Sequence, residues 1–532
     1  MPSHQHHSYQ AQLRDALRKL ATDPDRQRII VQLADVIAIL YNLDLEAAEA
    51  ILAPCYAASS RGGNPWRPVA VFRSLLLGHL IGKPGFSKLS EALRGCPVLR
   101  AIAGFSQAEQ DAHMQPAPGT STFYDFCGRL LDGPRCPQQT LTPSQQLTRE
   151  VRTPRHAQDR RDKKVEKRDK KGVSKGTERV SERLRKQLLD ARDCTNPDDL
   201  NTRLGQILLS CAVIESARRG LLGDIAQLPL SGDGSSIPTG ADGNGRRCCD
   251  CPPKSRCGCP RLYADPTATW GYDSYREVYY FGHQLYEVGA YFDGYDLPLH
   301  VRLDPANETD HTASMKALDW LGKALRDGYP GFAGAFFIGD AGHDGMPVYR
   351  FCRDWSLLSV IPLSRPAPAS HPSRGEVKFS ERAVPLCQAG VEMASFGTSG
   401  KDRHPLFICP LRANKIARCP LAPAGEDGWH CTGQKYGPTV KVVPKKDPRL
   451  FPQIPRNSAR FQKLYRQRSG TERSNFIKKY GQHVLSCRHR RSHLWHIRLV
   501  CVAVLQHAKA WCRDSDSNAF IAELLGKQEA AA

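Results

Sequence analysis

Three carboxylates and one basic, aromatic stretch are the groups in this sequence that could do chemistry together. Asp233 is followed by Gly234, and Asp340 by Ala341-Gly342-His343. Small residues beside a carboxylate let a ligand come close to the backbone. The third acid, Glu472, lies in a stretch that also carries Tyr465, Arg468 and Lys479. Wound as one helix from Leu464 to Tyr480, it places Tyr465, Arg468, Glu472 and Lys479 at about 0, 300, 340 and 320 degrees around the axis. One face then bears a ring, a guanidinium, a carboxylate and an ammonium, which makes a poor core face. It suits an anionic, metal-bearing partner. Mg²⁺ is held by few carboxylates together with substrate phosphates. Two such ions about 3.5–4 Å apart can stabilise the attacking and leaving oxygens of an in-line phosphoryl displacement. The same residues have plainer readings. Ser469-Gly470-Thr471-Glu472 fits a capping box, in which Glu472 only closes a helix N-terminus and Tyr465 and Arg468 lie before it. Asp-Gly is common in turns.

The elements that must position these groups can be read from pattern. The segment 225–234 reads as a strand ending at Asp233. Arg276 to Tyr291 and Leu297 to Leu303 are aromatic and β-branched and read as paired strands. Thr312 to Leu325 reads as a helix. Gly334 to Ile338 is short and wholly apolar, the mark of a buried central strand, and leads into Asp340. A helix over Gly345 to Asp354 and a strand over Leu357 to Leu363 follow. Glu308 and Asp310 read as turn residues or outer acids, and His283, His300, His311 and His343 as structural histidines.

The rest of the chain sets the context. Its 532 residues are enough for about two to four domains. A net charge of +21 favours a polyanionic partner, nucleic acid above all. No apolar run reaches about eighteen residues, and no signal peptide or lipidation motif is evident, so a cytoplasmic, nucleoid-associated protein is expected. Residues 1–135 read as short helices joined by tight turns, compatible with a helix-turn-helix DNA-binding unit or a plain bundle. Residues 136–200 read as a linker. Within it the run Arg149 to Lys186 has too little apolar content for a core, so it is a linker or a solvated helix, and it is basic enough to clamp phosphates. Asp198 to Leu222 is amphipathic. Residues 201–515 read as an α/β catalytic domain with a Cys-rich loop (244–262) and an insertion (364–455), and 516–532 as a tail.

These residues together resemble a known family. Tyr465, Arg468, Glu472 and Lys479 match, position for position, the Tyr-x2-Arg-x3-Glu-x6-Lys signature of bacterial insertion-sequence transposases of the DDE class. Asp233 matches the first catalytic aspartate of that family and Asp340 the second. His343 departs mildly from the Tyr common at its position. Asn64 to Phe126 is similar to the family's helical N-terminal domain, and Asp265 to Gly271 to the stretch before its second strand. The resemblance implies a ribonuclease-H-like mixed sheet flanked by helices, with an all-helical N-terminal domain and an insertion before the last catalytic helix. It implies two Mg²⁺ or Mn²⁺ ions on Asp233, Asp340 and Glu472. Water, and then a DNA 3′-hydroxyl, would attack phosphodiesters at transposon ends, with no covalent enzyme intermediate. Arg468 and Lys479 would hold phosphates and Tyr465 would position the DNA. The partners implied are double-stranded terminal repeats and target DNA, bound by a dimer of the chain. The alternatives are a related nuclease without strand transfer and a non-catalytic basic DNA-binding protein.

The chain has 19 cysteines. Cys248, Cys249, Cys251, Cys257 and Cys259 crowd one loop, and structural zinc commonly takes four Cys or His ligands in Cys-x2-4-Cys knuckles. Cys248, Cys251, Cys257 and Cys259 are therefore candidate zinc ligands. A thiol-bearing surface loop is the other reading. Cys409, Cys419 and Cys431 lie in the insertion at longer spacings.

Overall fold

The computed structural model describes residues 5–56, 65–133, 151–152, 173–191, 199–247, 249–252, 259, 261–370, 377–426, 429–444, 447–486 and 489–526. Most of the basic run 149–186, and both Cys248 and Cys257, lie outside the described residues.

The N-terminal part is helical, as its pattern predicts, from His6–Leu20 to Thr120–Asp132. Proline opens the helices Pro68–Leu80 and Pro97–Ala103, where its missing N–H is no loss. Gly104, at φ 86°, closes the second. This part does not stand apart. One continuous apolar core runs from Tyr9 through the sheet to Leu524. The element that joins them is the helix Ser492–Trp511, buried on nearly every face. It packs on both the N-terminal helices and the sheet, and its buried polar side chains bond within them, Arg498 to Pro84 O and His507 to Pro298 O. Two of the expected boundaries shift accordingly. Ser517–Leu524, expected in a tail, is a helix whose Phe520 meets Tyr41 edge-on, with Leu524 O accepting from Arg18 Nε at 3.0 Å. Val173–Asp190, which overlaps the run read as a linker or a solvated helix, is a helix docked through Arg185, which pairs with Glu182 and with Asp354.

The first strands are β1 (Val151–Arg152), β2 (Leu228–Pro238), β3 (Arg246–Arg247) and β4 (Arg261–Leu262). They are followed by β5 (Thr269–Asp273), β6 (Val278–Phe292), β7 (Tyr295–Pro305), β8 (Gly334–Ile338) and β9 (Leu358–Val360). The main sheet is mixed and runs β7–β6–β2–β8–β9, with β5 on the first residues of β6. β2, β8 and β9 are parallel, and β6 is antiparallel to β2, β5 and β7. Helices Asp310–Gly328 and Met346–Asp354 pack together on one side. The α/β class, the mixed sheet and its flanking helices agree with the sequence reading. Part of the insertion builds a three-stranded sheet of β10 (Ala394–Ser399), β11 (His404–Ile408) and β12 (Val440–Lys441). It has its own small core around Phe379, Phe407 and Phe451. Among the described residues, no helix is long and apolar enough to cross a membrane.

Candidate active site

Asp233 is not at the end of its strand. β2 runs on to Pro238 because Ser235, Ser236 and Ile237 still pair with the long β6. What ends near Asp233 is the pairing with β8, whose last rung is Ser231 with Ile338. The acid therefore lies just beyond the carboxyl end of the parallel β2–β8 pair, where open α/β sheets commonly bind ligands. Its neighbours need to be glycine. A Cβ on Gly232 would overlap the Tyr286 hydroxyl, and one on Gly234 would stand 2.5 Å from Asp310 Oδ1. The Asp233 carboxyl is pushed up to about 7, by burial first and then by the charges of Asp310 and Asp340.

Asp340 follows β8 and caps a 3-10 turn, accepting from Gly342 N at 2.9 Å. Its Oδ1 also meets His343 Nδ1 at 2.7 Å, and His343 Nε2 meets the Tyr286 hydroxyl at 2.7 Å. Burial works against both partners' charges, but the hydrogen bond together with the neighbouring charges outweighs it. The Asp340 carboxyl stays below the usual range and the His343 imidazole is raised. His343, expected to be structural, thus fixes the orientation of the second aspartate.

The stretch carrying Glu472 is two helices, not one. Ala459–Tyr465 ends at Arg466, and Arg468–Phe476 starts from Gln467 without a side-chain cap. Ser469 lies inside the second helix, donating to Arg466 O at 3.0 Å. The capping box therefore does not form. Gly470 sits against the sheet, where a Cβ would overlap the Tyr291 ring and approach Asp296 Oδ1 to 2.8 Å. Beside it, Thr471 Oγ1 meets Ser231 Oγ at 2.7 Å in the buried interior. Ser231 and Asp233 are two apart on a strand and share one face. The contact docks the helix on the strand next to Asp233. Despite the break, the four signature side chains gather on one side. Tyr465 feels the charges of Asp340, Glu472 and Asp233, and its hydroxyl is raised mainly by burial. Arg468 bears on both aspartates. Lys479, in a wide turn over Ile477–Gly481, is lowered to about 8 by burial, against the pull of Asp273 and Asp233.

The charge of Asp340 bears on Asp233, but the three acids do not form a close ligand group among the described residues. Glu472 is 56% exposed and pairs with Arg468 at 2.5 Å. Among the described residues, the group whose ligand atoms all lie within 4.8 Å of one another is Cys249, Cys251 and Cys259, not the carboxylates. The group contains Cys251 and Cys259 of the expected set and adds Cys249, whereas Cys248 and Cys257 lie outside the described residues. Cys251 Sγ lies 3.7 Å from Cys259 Sγ, and contact with Cys259 and Cys249 pushes its thiol up to about 12. In the insertion the thiol of Cys431 is raised by burial and by Cys409, Cys419 and Cys387.

Two further groups stand beside the site. Asp310, read as a turn residue or an outer acid, opens the helix Asp310–Gly328, accepts from Gln284 Nε2 at 2.7 Å and reaches Gly234 and Gly342. Glu287, directly across β6 from Asp233, pairs with Lys478, and neither side chain is exposed at all. An acid alone in the aromatic, β-branched run of β6 was the available signal for it.

We found no family model, curated protein or solved structure that matches this chain.

Proposed function

We propose that the chain is a DDE-class transposase that cuts phosphodiesters at the ends of an insertion sequence and joins the freed 3′-hydroxyl to target DNA. One observation carries the reading. The Ser231–Thr471 contact docks the helix of Glu472 and Arg468 beside Asp233, although the two lie far apart in the chain. The strand order β7–β6–β2–β8–β9, antiparallel then parallel, agrees with a ribonuclease-H-like sheet. A cleft of about 500 Å³ lined by Arg179, Arg183, Lys186 and Arg350, with Glu182 beside them, adds a basic surface that suits phosphates.

The donors fit Mg²⁺ or Mn²⁺ in kind, because Asp233, Asp340 and Glu472 offer hard oxygens. Burial and the charges of Asp310 and Asp340 raise the Asp233 carboxyl, and a bound cation would offset both. Two bound ions would activate water or a 3′-hydroxyl and steady the leaving oxygen. The chain's own residues do the rest. Tyr286 and His343 hold Asp340 in one orientation. Arg468 exchanges Glu472 for a DNA phosphate, for which its planar fork is suited. Lys479 offers a second charge and Tyr465 a ring for positioning DNA. The partners are the duplex ends of the element and target DNA, bound by a dimer in the bacterial cytoplasm.

The test uses a plasmid carrying the DNA that flanks the reading frame on both sides. With Mg²⁺, the wild-type chain should cut at the boundaries and join a labelled end to target DNA. Asp340→Asn should bind the same DNA and cut none. Cutting without joining would make the chain a nuclease. Equal behaviour of the two proteins, with no metal-dependent cutting, would leave only a DNA-binding protein.

A further inference from the structure

We propose that Cys249, Cys251 and Cys259 form a structural binding site for a thiophilic divalent cation, zinc by chemistry. The inference does not rest on the transposase reading. The three sulfurs lie within 4.8 Å of one another. Four sulfurs about 2.3 Å from a tetrahedral zinc stand about 3.8 Å apart along each edge. The Cys251–Cys259 separation is 3.7 Å, close to that edge and far beyond the roughly 2.05 Å of a disulfide.

The surroundings explain why a cation is needed there. Strands β3 and β4 are two residues each and pair Arg246 with Leu262 and Arg247 with Arg261. They pinch the two ends of the loop together just outside the cysteines. The nearby core is small, built on Tyr263, Ala268 and Phe281 with Ala241 and Trp270 packed against it. Small lobes of this kind are commonly held by a metal or a disulfide. Polar ties point inward: Arg247 donates to Pro252 O at 2.8 Å and Arg261 to Asn244 O at 3.0 Å. Three sulfurs leave the fourth position to water or one further donor. The lobe is fixed to the rest of the protein where Thr239 Oγ1 and Gly240 N both donate to His489 O at 2.8 Å.

The experiment is a metal count on the full-length chain, purified under reducing conditions from zinc-supplemented medium. Zinc per chain is compared among wild type, Cys251→Ser, Cys259→Ser and Cys409→Ser, the last removing a thiol from the insertion. The site predicts that Cys251→Ser and Cys259→Ser each lose one zinc that Cys409→Ser keeps. X-ray absorption on the wild type should show sulfur neighbours at about 2.3 Å. A zinc content unchanged by Cys251→Ser and Cys259→Ser would overturn the inference, as would the absence of sulfur-bound metal. If those variants fail to fold, the wild type decides. Chelation should open residues 244–262 to limited proteolysis, and added zinc should close them. A cleavage pattern that ignores both would refute the site.

Discussion

Replacing Lys478 by methionine tests how the helix that carries Glu472 is held on the sheet. Lys478 and Glu287 are both fully buried and paired. The ammonium also donates to Ser474 Oγ at 2.6 Å and to Gln506 Oε1 at 3.1 Å. Burial lowers the lysine's pKa, and Glu287 opposes that shift. Lys478→Met leaves a carboxylate in the interior with no counter-charge. Breaking one side of such a pair costs about 3–5 kcal/mol. Adding Glu287→Gln removes the orphaned charge, so the double variant should recover at least half of the loss. The lost bonds to Ser474 and Gln506 account for the remainder, at about 1 kcal/mol each. Equilibrium urea unfolding of the wild type, both single variants and the double variant gives the four free energies and their coupling. The reasoning fails if Lys478→Met costs less than about 1 kcal/mol, or if the two single losses simply add.

Other consequences follow from the same geometry. Gly470→Ala should destabilise the chain by about 1–3 kcal/mol, although alanine favours a helix, because its Cβ would overlap the Tyr291 ring; thermal unfolding would show the sign. Divalent-ion binding requires ionised Asp233, whose pKa is raised to about 7. Below that pH, affinity should fall by about tenfold per unit, and above it should level off; a Mn²⁺ titration flat from pH 5.5 to 8 would contradict this. The sign for folding is opposite. The folded metal-free chain holds that proton more tightly than the unfolded one, so this group's stabilisation is lost as pH rises through about 7. Lys479, lowered to about 8, should contribute to DNA binding below that pH and lose its contribution above it. Lys479→Ala should therefore reduce the salt dependence of binding by about one charge at pH 7, and by much less at pH 9.

The sequence was most legible where one local rule acts alone. Apolar, β-branched runs gave β6, β7 and β8, and the proline-opened helices followed their caps. The helix of Glu472 was ambiguous because Ser469-Gly470-Thr471-Glu472 satisfies a capping pattern. Tertiary contact decided against the cap: Gly470 is small to let the helix lie on Tyr291, not to end a helix. The sharing of one core by the N-terminal helices and the sheet was not legible for a related reason. Ser492–Trp511 is buried on nearly every face, with His493, His496, Arg498, Gln506 and His507 among its buried residues, so its own pattern does not say that two regions share it. Asp310 looked like a turn residue because its role depends on glycines at 234 and 342, far away in sequence. The thiols that meet are set by the β3–β4 pinch, which two-residue strands do not announce.

The central claim is that Asp233, Asp340 and Glu472 share divalent ions. Electron paramagnetic resonance of Mn²⁺, in the presence of duplex carrying the flanking DNA, counts those ions directly. The account predicts two per wild-type chain, and fewer in Asp233→Asn, Asp340→Asn and Glu472→Gln, each still bound to DNA. Variants that retain the full wild-type complement would contradict it.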